Sequence, residues 1–190
     1  MKQIRKNIFE TNSSSTHSVT MASGKLVNTI DYCQLDNYVD PADHYIHMKF
    51  GEFGWEEMEY TDALTKLQYL LNMIIETNKV SSINPNGIKT LEDFYNCDDF
   101  LLLESIVAEN VKDCKGINIF DDEIEAHPYD SVDNDGNKSI NYYLTYNGYI
   151  DHQSCESYKC LADFLNEWDT TIEDFIFDNN VVLVTDNDNH

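Results

Sequence analysis

Arginine is almost absent: Arg5 stands alone in 190 residues, and Lys plus Arg number 12 against 35 Asp plus Glu. The planar guanidinium fork is the usual means of gripping phosphate at two points, and both a nucleic-acid backbone and an anionic lipid surface are drawn to clustered cations. A chain this poor in them is expected to bind neither DNA nor RNA directly, nor an anionic membrane. Long apolar runs are missing too. Nothing approaches the ~20 consecutive apolar residues that span a bilayer. The opening Met1-Lys-Gln-Ile-Arg-Lys-Asn-Ile-Phe9 is basic, but it lacks the apolar run and small-residue cleavage site of a secretion signal. Seven glycines and three prolines are too few for a collagen-like or linker protein. The five cysteines (Cys33, Cys97, Cys114, Cys155 and Cys160) are odd in number and contain no C-x-x-C. That spacing makes neither a zinc knuckle nor a disulfide framework. Reduced thiols in a cytoplasm, packed as small hydrophobes, are the expectation.

What is abundant is carboxylate. The net charge is −23, and it is unevenly spread: residues 1–30 carry +3, residues 31–116 carry −11 and residues 117–190 carry −15. High like charge keeps a protein soluble at some cost in self-repulsion. It also fits a face that meets a basic partner, where carboxylates spaced like phosphates steer association. Divalent cation binding is a third use. A 42% hydrophobic content with 12% aromatics suffices for a core, and the length suits one domain.

The pattern of elements is mixed. Leu64, Leu67, Leu71, Met73, Ile74 and Ile75 recur at helical spacing after Thr61, an N-cap candidate, with Lys79 past the end. Thr90 opens a short helix through Asn96, and Asp98 or Asp99 a longer one through Asp113, stopped at Gly116. Ser154 or Ser157 is expected to cap a helix through Trp168, and Thr170 or Thr171 another over Ile172–Phe177. Strands are expected at residues 19–21, 44–50, 117–120, 124–129, 139–146 and 149–152, with 51–55 as a Gly-containing turn and Asp133–Asn137 as a hairpin turn. Val181–Thr185 is apolar at consecutive positions, as in a central strand. Together these predict a single α+β domain over 1–190, with a mixed or antiparallel sheet packed against several helices, and residues 186–190 as a frayed tail.

Three places carry candidate chemistry. In Asn12-Ser13-Ser14-Ser15-Thr16-His17-Ser18, short hydroxyls and backbone amides can surround an anion while His17 serves as acid or base for a serine such as Ser15. The plainer role for such a run is a polar turn. Asp151 and His152 form a second candidate, although neighbours on an extended strand face opposite ways. Glu52, between Gly51 and Gly54, is the third, with Phe53 and Trp55 as core anchors. No metal ligand set shows a spacing signature. His44 and His47 fall on opposite faces of an expected strand, and aligning Gly136 as the sixth residue of a calcium loop puts Ser131 first and Tyr142 twelfth, which fails. The P-loop, G-x-G-x-x-G, H-E-x-x-H and G-x-S-x-G motifs are all missing. No cofactor is expected.

The run Ile4-Arg5-x-x-x-Phe9-Glu10-Thr11-Asn12-Ser13-Ser14-Ser15-Thr16-His17-Ser18 resembles the opening of a set of phage and Gram-positive bacterial proteins. Glu52–Trp55, Lys66–Leu70, Tyr149–Ser154 and Phe175–Asn180 are similar to that set as well. The resemblance touches both ends of the chain and implies one whole domain and a phage or prophage origin, with no activity attached. The leading expectation is an acidic, phage-type cytoplasmic protein that binds a basic surface of a host protein, as a nucleic-acid mimic acting on a nucleic-acid-handling or defence enzyme. The competing one is a small hydrolase or transferase whose site joins Ser15, His17, Glu52, Asp151 and His152, with Asn12, Ser13, Ser14 and Ser18 as binding groups.

Overall fold

The structure is a computed structural model that describes residues 15–21, 30–54, 56, 58–120, 123–132, 136–150 and 160–187. Its axis is helix α1 (Ala63–Asn78), whose N-cap is Asp62: the carboxylate accepts from Thr65 N–H at 2.8 Å. The cap therefore sits one residue beyond Thr61, because the carboxylate of Asp62 itself closes the first turn. Ala63, Leu67, Tyr69 to Leu71 and Met73 to Ile75 are all buried. A helix apolar on nearly every side must be enclosed, and α3 (Asp98–Asn110), α4 (Leu161–Glu167) and α5 (Ile172–Phe177) pack around it. Short helix α2 (Leu91–Tyr95) starts at a capping box, in which Thr90 Oγ1 accepts from Asp93 N–H at 3.1 Å while Asp93 accepts from Thr90 N–H at 3.0 Å. Thr171 caps α5 in the expected way. Helix α4 differs from expectation: its N-cap is Cys160, which makes no side-chain cap, and the expected caps Ser154 and Ser157 lie outside the described residues.

The α+β class is as expected, with the strands divided among small sheets. Strand β9 (Val181–Asn187) is central, antiparallel to β1 (Ser15–Met21) on one side and β4 (Met58–Tyr60) on the other. Its residues 181–184 are buried at consecutive positions, so both faces are covered. Asp186 and Asn187, expected in a frayed tail, instead pair with Thr16 and Ser15 and extend the strand. Strands β2 (Tyr45–Met48) and β5 (Gly116–Ile119) pair in parallel, as do β3 (Glu52–Phe53) and β8 (Tyr149–Ile150). The expected turn at 51–55 thus contains a two-residue strand. Strands β6 (Glu125–Val132) and β7 (Lys138–Thr145) form a separate hairpin. Among the described residues no helix is long and apolar enough to cross a membrane.

Phe53 is the core anchor expected of it. Its ring meets Tyr60 and Tyr69 edge-on at 5.6 and 5.0 Å, and Tyr69 continues to Phe164 at 5.8 Å. Edge-to-face aromatic pairs add about 0.5–1.5 kcal/mol each beyond the area they bury. Two buried polar side chains on α1 tie distant segments to it. Asn72 Nδ2 donates to the carbonyls of Gly51 at 2.7 Å and Tyr149 at 3.0 Å, and its Oδ1 accepts from Gly51 N–H at 3.2 Å. This one carboxamide locks β3 and β8 to the helix. Lys66 is fully enclosed, and its ammonium donates to the carbonyls of Asp178 at 3.0 Å and Val181 at 3.2 Å. It thereby satisfies the chain where α5 ends and β9 begins. Burial pushes the Lys66 ammonium down to about 8, against the pull of the Asp178 and Asp62 carboxylates.

Candidate functional site

Among the described residues, the three most exposed large apolar side chains within helices and strands, Val132, Tyr143 and Ile140, lie on the β6–β7 hairpin. Its register is unbroken from Glu125 opposite Thr145 to Val132 opposite Lys138, and among the described residues neither strand pairs with a third. A two-stranded ribbon can bury one face at most. The base is held by Ile124, which is buried, and by Leu144, which packs against the core. Beyond it Tyr129 is 47% exposed, Tyr143 56%, Ile140 55% and Val132 62%.

The pleat sorts these groups. His127, Tyr129 and Tyr143 share one face. The His127 and Tyr143 rings stack at 4.9 Å and 24°, and Tyr129 lies 6.3 Å from Tyr143. His127 Nε2 is fixed 3.0 Å from Thr145 Oγ1 and 3.5 Å from Glu125 Oε2, so the aromatic ledge is held in place from its base. Val132 and Ile140 lie on the opposite face. Pro128 stands within β6 without an N–H to offer, which blunts that edge against further strands. A cavity of about 420 Å³ opens where the ribbon meets the start of α2, lined by Lys89, Thr90, Ile124, Glu125, His127 and Tyr142. The flanking acids Glu123, Glu125 and Asp130 are exposed, and Lys138 is the one lysine in the two strands. Apolar and aromatic anchors ringed by carboxylate can bind another macromolecule through a buried centre and a charged rim.

The residues singled out from sequence fall elsewhere. Ser15, His17 and Ser18 are strand residues of β1, opposite Asn187, Thr185 and Val184, where a polar turn was the plainer expectation. Glu52 is exposed in β3, with Tyr149 of β8 as its register partner. Asn12, Ser13, Ser14, Asp151 and His152 lie outside the described residues. The groups that sequence reasoning passed over are His127, Tyr129 and Tyr143. Their signal was His127 and Tyr129 two apart on one strand of a recognisable hairpin and the adjacent Tyr142 and Tyr143 on the other, which must face opposite ways.

The fold and this surface define an α+β protein that presents a projecting acidic and aromatic ribbon. No family model, no curated protein and no solved structure matches the chain.

Proposed function

We propose that this protein is an acidic interaction module that binds a basic surface on another protein, with the β6–β7 hairpin as its contact ribbon. The observation that carries the reading is the pair of exposed tyrosines, Tyr129 and Tyr143, on one face of strands that no other strand covers among the described residues, with exposed Val132 and Ile140 on the opposite face. Monomeric surfaces seldom leave such groups contiguous unless they are used. Tyrosine gives large contact area at low conformational cost and is enriched among the residues that dominate binding energy. The net charge of −23 selects the partner. A second acidic surface is repelled, while a basic one is steered in, most strongly at low salt. A host protein whose basic face ordinarily holds nucleic acid fits this chemistry, and the N-terminal resemblance to phage proteins agrees with it.

The test is a comparative pull-down from bacterial lysate with the wild-type chain and a Tyr129→Ser/Tyr143→Ser double variant. The eluted proteins are identified by mass spectrometry at low and high salt. The expected result is one basic protein retained by the wild type, weakened by salt, and lost from the double variant, whose affinity falls on the order of 1,000-fold if each tyrosine contributes about 2 kcal/mol. The captured protein should then be displaced by nucleic acid. Equal retention by both chains, or retention indifferent to salt, refutes the reading.

A further inference from the structure

A second feature lies away from the hairpin, in the turn before β2. We propose that Asp40, Asp43 and His47 form a binding site for a divalent transition-metal cation of the zinc type. One ligand atom from each residue, two carboxylate oxygens and an imidazole nitrogen, lies within 4.8 Å of the other two. Each carboxylate is already divided between two tasks. Asp40 Oδ1 accepts from Ala42 N–H at 2.7 Å and Asp43 Oδ1 accepts from Tyr45 N–H at 3.0 Å. The remaining oxygens face the same ring nitrogen: His47 Nε2 is 2.8 Å from Asp43 Oδ2 and 4.0 Å from Asp40 Oδ2. The backbone thus aims both acids before any ion arrives.

Two observations outside this trio point the same way. The first is the support behind the imidazole. Asn118 Nδ2 lies 3.2 Å from His47 Nδ1 and Tyr95 Oη donates to Asn118 Oδ1 at 3.3 Å, so without an ion the ring proton sits on Nε2 toward Asp43, and a cation would displace it. A metal-bound imidazole needs an acceptor for its second N–H, and such a partner fixes both tautomer and ring plane. The amide oxygen of Asn118 supplies that acceptor when the amide is turned, with the Tyr95 hydroxyl accepting from the amide nitrogen in exchange. The second is space. A cavity of about 340 Å³ has Asp43, Tyr95, Glu104 and Asn118 in its wall. Tyr45, Phe100 and Ile117 complete that wall, which meets the trio through Asp43 and leaves that side of a bound cation open to water. Mixed carboxylate and imidazole donors suit zinc or manganese better than magnesium or calcium, which take oxygen alone, and zinc leads manganese in affinity at such sites.

The test is zinc titration of the full chain by calorimetry at about pH 7.5, beside His47→Gln and Asn118→Ala variants and a magnesium control. The free thiols and scattered acids are the same in all three chains, so any background they supply cancels. One equivalent of zinc is expected to bind the wild type, with affinity reduced at least tenfold in His47→Gln and about 10–100-fold in Asn118→Ala. Identical isotherms for wild type and His47→Gln, or binding that magnesium competes away, overturn the proposal. If His47→Gln does not fold, imidazole NMR of the wild type decides. Zinc must then shift the His47 ring signals first among the six histidines, and an earlier shift at any other histidine is a refutation.

Discussion

Lys66 gives the sharpest test of how this core is assembled. Its ammonium is enclosed at the junction of α5 and β9 and keeps only carbonyl partners and nearby carboxylates. In the unfolded chain the amine holds its proton up to about 10.5, while in the folded protein burial lowers that point to about 8. Below pH 8 both states are protonated, and the fold bears the whole cost of enclosing a charge. Between the two values the unfolded state binds more protons than the folded one, so raising the pH stabilises the fold. The difference, at about 1.4 kcal/mol per pH unit, is worth about 3 kcal/mol at most. Cys97, Cys114 and Tyr95 act in the opposite sense: burial raises all three, and their contribution is lost as the pH climbs past their unfolded values. A comparison with Lys66→Met at each pH cancels them. The variant also leaves the Asp178 and Val181 carbonyls without this donor, a cost of about 1–3 kcal/mol that does not vary with pH. Urea unfolding of both chains between about pH 7 and pH 10.5 measures the difference directly. Wild-type stability minus variant stability should rise across that window by up to about 3 kcal/mol. A flat difference would show that Lys66 titrates as an exposed lysine does, and the account of its burial would be wrong.

Two further substitutions probe the remaining anchors. Asn72→Leu strips the Gly51 N–H and the Tyr149 carbonyl of their side-chain partner, and should lower unfolding free energy by about 2 kcal/mol in denaturant titration, with β3 and β8 first to lose amide protection in hydrogen exchange. Thr90→Ala removes half of the capping box at α2 and should cost about 1 kcal/mol, read as a fall in the urea midpoint with unchanged slope.

The helices were the legible part of the sequence, since their signals are local. Thr90 and Thr171 announce themselves by hydroxyls followed three residues later by Asp93 and Asp174. Helix α4 gave no such warning, because Cys160 caps nothing with its side chain and the start is set by packing of Leu161, Phe164 and Leu165. The apolar run at 181–184 correctly marked β9 as central, but its partners are fixed by contacts that no local pattern records. Strand β3 is two residues long, and Gly51 just before it is held by Asn72, 21 positions away in the chain. The Asp40–Asp43–His47 grouping escaped notice for a geometrical reason. His47 belongs to β2 and was weighed against His44 on the same strand, whereas its partners come from the turn before it. His44 itself adopts φ 71° outside the strand. The hairpin was legible as a hairpin, yet exposure of its tyrosines depends on what packs beside the ribbon, where no third strand pairs among the described residues.

The pairing of β1 with β9 also sets an order of events during synthesis. Ser15–Met21 leave the ribosome before Val181–Asn187, the strand they pair with among the described residues. Strand β4 waits for the same segment, as does the Lys66 ammonium for the Val181 carbonyl. The closing sheet is therefore a late, long-range step with a large loop-closure cost. Nascent chains halted before β9 emerges should remain protease-sensitive at the β1 and β4 segments even after α1 to α3 have formed.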